Sequence, residues 1–69
     1  MIEALKDKIV TQLAERIEKK YESRWVKCVD LAMSASWYNK DYTLQELTDM
    51  DVESLYQQVC KEIDSNEIM

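Results

Sequence analysis

A chain of 69 residues that contains neither glycine nor proline has few ways to fold. Tight hairpins and phosphate-cradling loops need glycine for positive φ or close backbone approach, and proline is the strongest helix breaker. Without either, the hydrophobic periodicity runs with few interruptions, and here it is helical almost throughout. Leu5, Ile9, Leu13, Ile17, Tyr21, Trp25, Val29, Met33 and Trp37 follow one another at a spacing of four, and every member is apolar. Each four-residue step drifts about 40° around an α-helix, so eight steps drift about 320°. One straight helix could not keep that stripe on a single face.

The stripe therefore predicts a break, and Ser23 is the local residue best able to cap a second helix. Lys19, Lys20 and Arg24 suit the C-terminus of the helix before it. The reading is an all-α bundle of three to four helices, over about residues 2–21, 24–38, 44–49 and 52–64, as one domain. The alternative for the first half is one long bent helix through residue 38. The first helix would turn Ile2, Leu5, Ile9, Val10, Leu13 and Ile17 inward, and the second Trp25, Cys28, Val29, Ala32 and Ala35. Asn39-Lys40-Asp41 is a polar turn. Thr43 and Glu46 match a capping box, and Asp51 is a second N-cap. The last helix would bury Val52, Leu55, Tyr56, Val59 and Ile63, with residues 65–69 fraying.

At about 30 Å, the first helix looks too long for so small a core to cover, so a homodimer or an obligate complex is expected. Gln12, Arg16 and Lys19 occupy heptad positions that should be apolar, which disfavours an extended coiled coil.

Composition removes most chemistry. There is no histidine, so the commonest general base and metal ligand are missing. Cys28 and Cys60 are too few and too far apart for a zinc framework, and both read as small buried hydrophobes, not a disulfide. Asp49, Asp51 and Glu53 alternate like the opening of a calcium loop, but Ser54 and Cys60 stand where its glycine and bidentate glutamate belong. No catalytic residue, cofactor or metal site is expected. MIEALKDKIV does not read as a signal peptide, and the longest uncharged run, Leu31 to Asn39, is too short to span a membrane. A cytoplasmic protein is expected.

Charge is unevenly distributed. Nine Lys+Arg against fourteen Asp+Glu give a net charge of −5. Beyond residue 40 only Lys61 opposes Asp41, Glu46, Asp49, Asp51, Glu53, Glu62, Asp64 and Glu67. That balance opposes direct contact with nucleic acid, including a helix-turn-helix reading of the last two helices. A DNA contact through Lys19, Lys20, Arg24 and Lys27 is the weaker alternative. Five of the six aromatics, Tyr21, Trp25, Trp37, Tyr38 and Tyr42, lie within 22 positions. Trp25 reads as core, whereas Trp37, Tyr38 and Tyr42 flank a polar turn, where rings make binding hot spots.

The function expected is non-enzymatic: a small acidic inhibitor, of phage or mobile-element type, docking on a larger protein with a basic, nucleic-acid-handling surface. Its docking residues would be Trp37, Tyr38, Tyr42, Glu46, Asp49, Asp51 and Glu53. The alternative is a structural or assembly subunit, or a chaperone, that associates through the apolar face of the first helix.

Overall fold

The computed structural model describes residues 1–65, and among them every regular element is helical. Helix α1 spans Ile2–Tyr21, α2 Trp25–Ser34, α3 Leu44–Thr48 and α4 Val52–Asp64, with a single 3₁₀ turn, Ser36–Asn39, between α2 and α3. The all-α bundle expected from the periodicity is the fold observed. The expectation of fraying falls, from Asn66 onward, outside the described residues.

The first forty residues do break, but Ser23 is not the cap. Glu22 adopts a left-handed conformation, φ 53° and ψ 39°, and its N–H donates to the Glu18 carbonyl at 2.9 Å. This is the usual way of ending a helix, carried out without the usual glycine. The N-cap of α2 is Arg24, which supplies no side-chain hydrogen bond. Ser23 instead contributes its carbonyl, which the Cys28 thiol approaches at 3.7 Å.

Helix α2 stops at Ser34, four residues short of the expected end, because Ala35 is extended at φ −67° and ψ 153°. That kink leaves the last carbonyls of α2 without helical partners. Two side chains respond to it. The Trp37 indole Nε1–H donates to the Ala32 carbonyl at 3.0 Å. Glu62 of α4 accepts from the Ser36 N–H at 2.9 Å and from its hydroxyl at 3.1 Å. The capping box at Thr43 and Glu46 forms as its spacing predicts, and Asp51 caps α4 through the Glu53 N–H.

The core is built from Ile9, Val10, Leu13, Ala14 and Ile17 of α1, Cys28 and Ala32 of α2, Ala35, Trp37, Leu47 of α3, and Leu55 and Val59 of α4. The buried residues of α2, Cys28 and Ala32, are both small, which lets its backbone approach α1 closely. Helix α1 packs against α2, α3 and α4, and its length of about 30 Å accounts for the 32 Å long axis of the molecule. The expectation that α1 would outrun its core is thus corrected. Its apolar stripe is covered within the chain, and only the first turn, with Met1 and Ile2, remains exposed. Ile2 therefore leaves the inward set. Leu13 and Ile17, on the face expected to mediate assembly, are fully buried within the chain.

The two tryptophans exchange their expected roles. Trp37 is 1% exposed and Trp25 is 40% exposed. The spacing-four series crosses the break at Glu22, and α2 is rotated so that Cys28 and Ala32, not Trp25, face α1.

Candidate interaction surface

Of the acidic and aromatic residues expected to form one docking surface, Tyr38 and Tyr42 gather around Lys6 of α1, and Glu53 and Asp51 around Arg16 of the same helix. At the first group, Lys6 donates from Nζ to the carbonyls of Tyr38 at 2.9 Å and Lys40 at 3.1 Å. The same ammonium lies 5.2 Å from the Tyr38 ring centroid and 5.7 Å from that of Tyr42. A cation over two rings, donating to carbonyls at the end of a 3₁₀ turn, pins that turn to α1. Tyr38 also meets Trp37 edge-on, with centroids 5.4 Å apart.

Tyr38 and Tyr42 are consequently half-buried, and Trp37 is not at the surface at all. As a docking residue Trp37 is corrected to core: burying its ring and capping α2 with its Nε1–H satisfies both its apolar body and its one donor. Burial, reinforced by the nearby Glu46 charge, pushes the Tyr42 phenol up, so its ring stays neutral.

The second group surrounds Arg16. Its guanidinium pairs with Glu53 and lies 5.5 Å from the Tyr56 ring. Asp51, next in space, accepts from the Glu53 N–H at 3.1 Å and from the Ser54 hydroxyl at 2.9 Å. The Ser54 hydroxyl and N–H, then the Glu53 N–H and the Arg16 charge, hold the Asp51 carboxyl below its ordinary range. Asp49 accepts from the Gln45 amide at 2.7 Å. Lys6 and Arg16 are ten residues apart, about 15 Å along the helix. The seven expected docking residues thus form no single constellation.

Apart from Asp41, every acid between residues 41 and 65 accepts a hydrogen bond from this chain. Glu46 accepts from the Thr43 N–H at 2.9 Å, and Asp64 from the Tyr21 hydroxyl at 2.9 Å. Together with the bonds of Asp49, Asp51, Glu53 and Glu62, these contacts make the acidic half a set of caps and clips that tie α3 and α4 in place. The carboxylates of Asp41, Glu46, Asp49, Asp51, Glu53 and Asp64 nevertheless belong to exposed residues. Glu46, Asp49, Glu53 and Asp64 use one oxygen each in these side-chain bonds, so the second can accept from a partner.

One surface feature was not expected. Trp25, Val26 and Met33 of α2 are 40%, 71% and 39% exposed, and Val29 between them is half-buried. Advancing about 100° per residue, Trp25, Val29, Met33 and Val26 follow one another within a sector of about 100°. The signal was present in the sequence: α2 reads WVKCVDLAMS, with more apolar residues than one buried face can hold.

Cys28 and Cys60 are free and buried. Burial, with the Glu18 charge adding to it, pushes the Cys28 thiol up and disfavours the thiolate. Among the described residues no cluster of histidine, cysteine and carboxylate side chains could hold a metal ion, and no helix is long and apolar enough to cross a membrane. Comparison with protein-family models, curated proteins and solved structures returns no match for this chain.

Proposed function

We propose that the protein is a small, non-enzymatic protein-binding module that docks its acidic α3–α4 side on the basic surface of a larger protein. The observation that carries the reading is the fixing of exposed carboxylates by short-range bonds. Glu46, Asp49, Asp51 and Glu53 are each held by a named donor and remain at the surface. A carboxylate already held in one rotamer loses less entropy when a partner's lysine or arginine engages it. An acidic array of this kind can occupy a groove that otherwise receives phosphates, which is the reading of an inhibitor of a nucleic-acid-handling protein. Tyr38 and Tyr42 would add apolar rim contacts, and Trp37 none.

The test is capture from nuclease-treated lysate of the source cells on immobilised protein, in parallel with the variant Asp41→Asn, Asp49→Asn, Glu53→Gln. The variant spares the capping box and the Asp51 cap but replaces the Glu53 carboxylate that pairs with Arg16, so circular dichroism first verifies that its helix content and urea midpoint match those of the native chain. The expected result is a basic protein retained by the native chain, released by moderate salt and absent from the variant eluate. Equal capture by both chains, release that ignores salt, or no capture at all would overturn the reading.

A further inference from the structure

We infer that two copies of this chain exchange α1: the turn at residues 22–24 straightens, and the α1 of each copy docks on the α2–α4 unit of the other. The inference is independent of the docking proposed for the acidic side.

Helix α1 precedes one short turn, and all that holds it lies beyond that turn. It packs against α2, α3 and α4. Lys6 bonds to the Tyr38 and Lys40 carbonyls, Arg16 to Glu53 and Tyr21 to Asp64. The remaining unit has ties of its own, from the Trp37 indole to Ala32 and from Ser36 to Glu62. A second copy offers identical surfaces, so exchange remakes the contacts of α1 and changes only the turn.

The turn is poorly suited to its own conformation. Glu22 lies in the left-handed region at φ 53° and ψ 39°, which a Cβ disfavours. Helix α2 starts after Arg24 without a side-chain cap. Straightening removes both defects: Glu22 becomes right-handed, and the N–H groups at 23–27 meet the carbonyls at 19–23. The chain has no glycine or proline to resist this, and Glu and Arg are good helix formers. Ile17, Tyr21, Trp25 and Val29 then fall within about 120°, which keeps the helix amphipathic through the turn. A short, strained hinge of this kind favours exchange.

Association costs freedom of motion, so the closed monomer prevails when dilute and the exchanged dimer when concentrated. Either form must pull α1 out of the core to become the other. The experiment is refolding of the full chain from urea at about 10 µM and at about 1 mM, followed by size-exclusion chromatography. A dimer is expected from the concentrated sample alone, and once isolated it should survive dilution without unfolding.

Two substitutions probe the hinge, each with its fold verified by circular dichroism. Arg24 at φ −69° accommodates proline in the closed turn, whereas proline breaks a continuous helix, so Arg24→Pro should abolish the dimer. Glu22→Gly relieves the closed turn and weakens the straight helix, which should cost about tenfold per turn and about a hundredfold for both. Charge exchange tests the swap itself. Arg16→Glu and Glu53→Arg each set like charges against each other within one chain and in its own dimer. Refolded together, they regain both opposite-charge pairs only by trading α1. Native mass spectrometry should then show more heterodimer than random pairing gives. A chain that stays monomeric at both concentrations overturns the inference. So does a dimer that falls apart on dilution, that ignores Arg24→Pro and Glu22→Gly, or that shows no heterodimer excess.

Discussion

Truncating each tryptophan in turn measures the inversion of their roles directly. Trp37 is 1% exposed and its Nε1–H holds the Ala32 carbonyl at 3.0 Å. Trp37→Ala removes the largest side chain of the core and its cavity cannot collapse against fixed helices, which costs about 3–5 kcal/mol. A 69-residue domain at about 0.05–0.15 kcal/mol per residue has only about 3–10 kcal/mol in total. Trp37→Ala should therefore populate the unfolded state at room temperature. Trp37→Phe keeps most of the volume but leaves the Ala32 carbonyl unpaired, for about 1–3 kcal/mol. Trp25→Ala opens no sealed cavity, because that ring is 40% exposed, and should cost about 1–2 kcal/mol. Urea denaturation followed by circular dichroism orders the three. Fluorescence provides a second readout: in Trp37→Phe the remaining Trp25 should be quenched by iodide, whereas Trp37, alone in Trp25→Phe, should resist it. Equal costs for the two alanine variants, or a reversed quenching order, would refute the packing described.

Three further outcomes are expected. Glu22→Gly relieves the left-handed conformation at φ 53° and should stabilise the fold by up to about 1 kcal/mol, seen as a raised urea midpoint. Asp51→Ala, which removes the cap of α4, should cost about 0.5–2 kcal/mol by the same assay. Because the folded Asp51 carboxyl titrates below its unfolded value, its contribution is complete above about pH 4 and is lost as pH falls through the lower folded value. An acid titration of Asp51→Asn should therefore lack part of the native chain's loss below about pH 4. Tyr21 has the opposite sign: burial first, then its bond to Asp64, raise its phenol, so the native fold should weaken from about pH 10 upward. Tyr21→Phe should flatten that alkaline limb of the stability profile.

Elements whose signals are local were legible in the residues. The Thr43–Glu46 box, the Asp51 cap and, apart from Ile2, the inward sets of α1 and α4 depend on neighbours two to four positions away, and they form where their spacing puts them. The end of α2 was not legible. It depends on Trp37 reaching back to Ala32 and on Glu62 arriving from α4, and spacing within α2 contains neither. The spacing-four series misled at Trp25 because it was continued through a break that resets helix rotation. The candidate surface fared similarly. Acids chosen for their sign are exposed, but the bonds that separate the aromatic residues from Glu53, Lys6 to the Tyr38 carbonyl and Arg16 to Glu53, act across more than thirty residues.

The pinning of α3 and α4 to one face of a single long helix also has a kinetic meaning. The α1–α2 hairpin needs only the short turn at Glu22 to close, so its contacts carry a small loop-closure cost. Helix α4 must return across the whole of α2 and α3 before Glu53 meets Arg16 and Asp64 meets Tyr21. The hairpin is thus expected to be the folding nucleus, with α4 condensing on it afterwards. Core substitutions at Ala14 and Ala32 would then slow refolding, whereas Val59→Ala would mainly speed unfolding. Stopped-flow φ-values that rank Val59 above Ala14 would reverse that order. A nascent chain leaving the ribosome would accordingly hold its first helices together before the acidic half was complete.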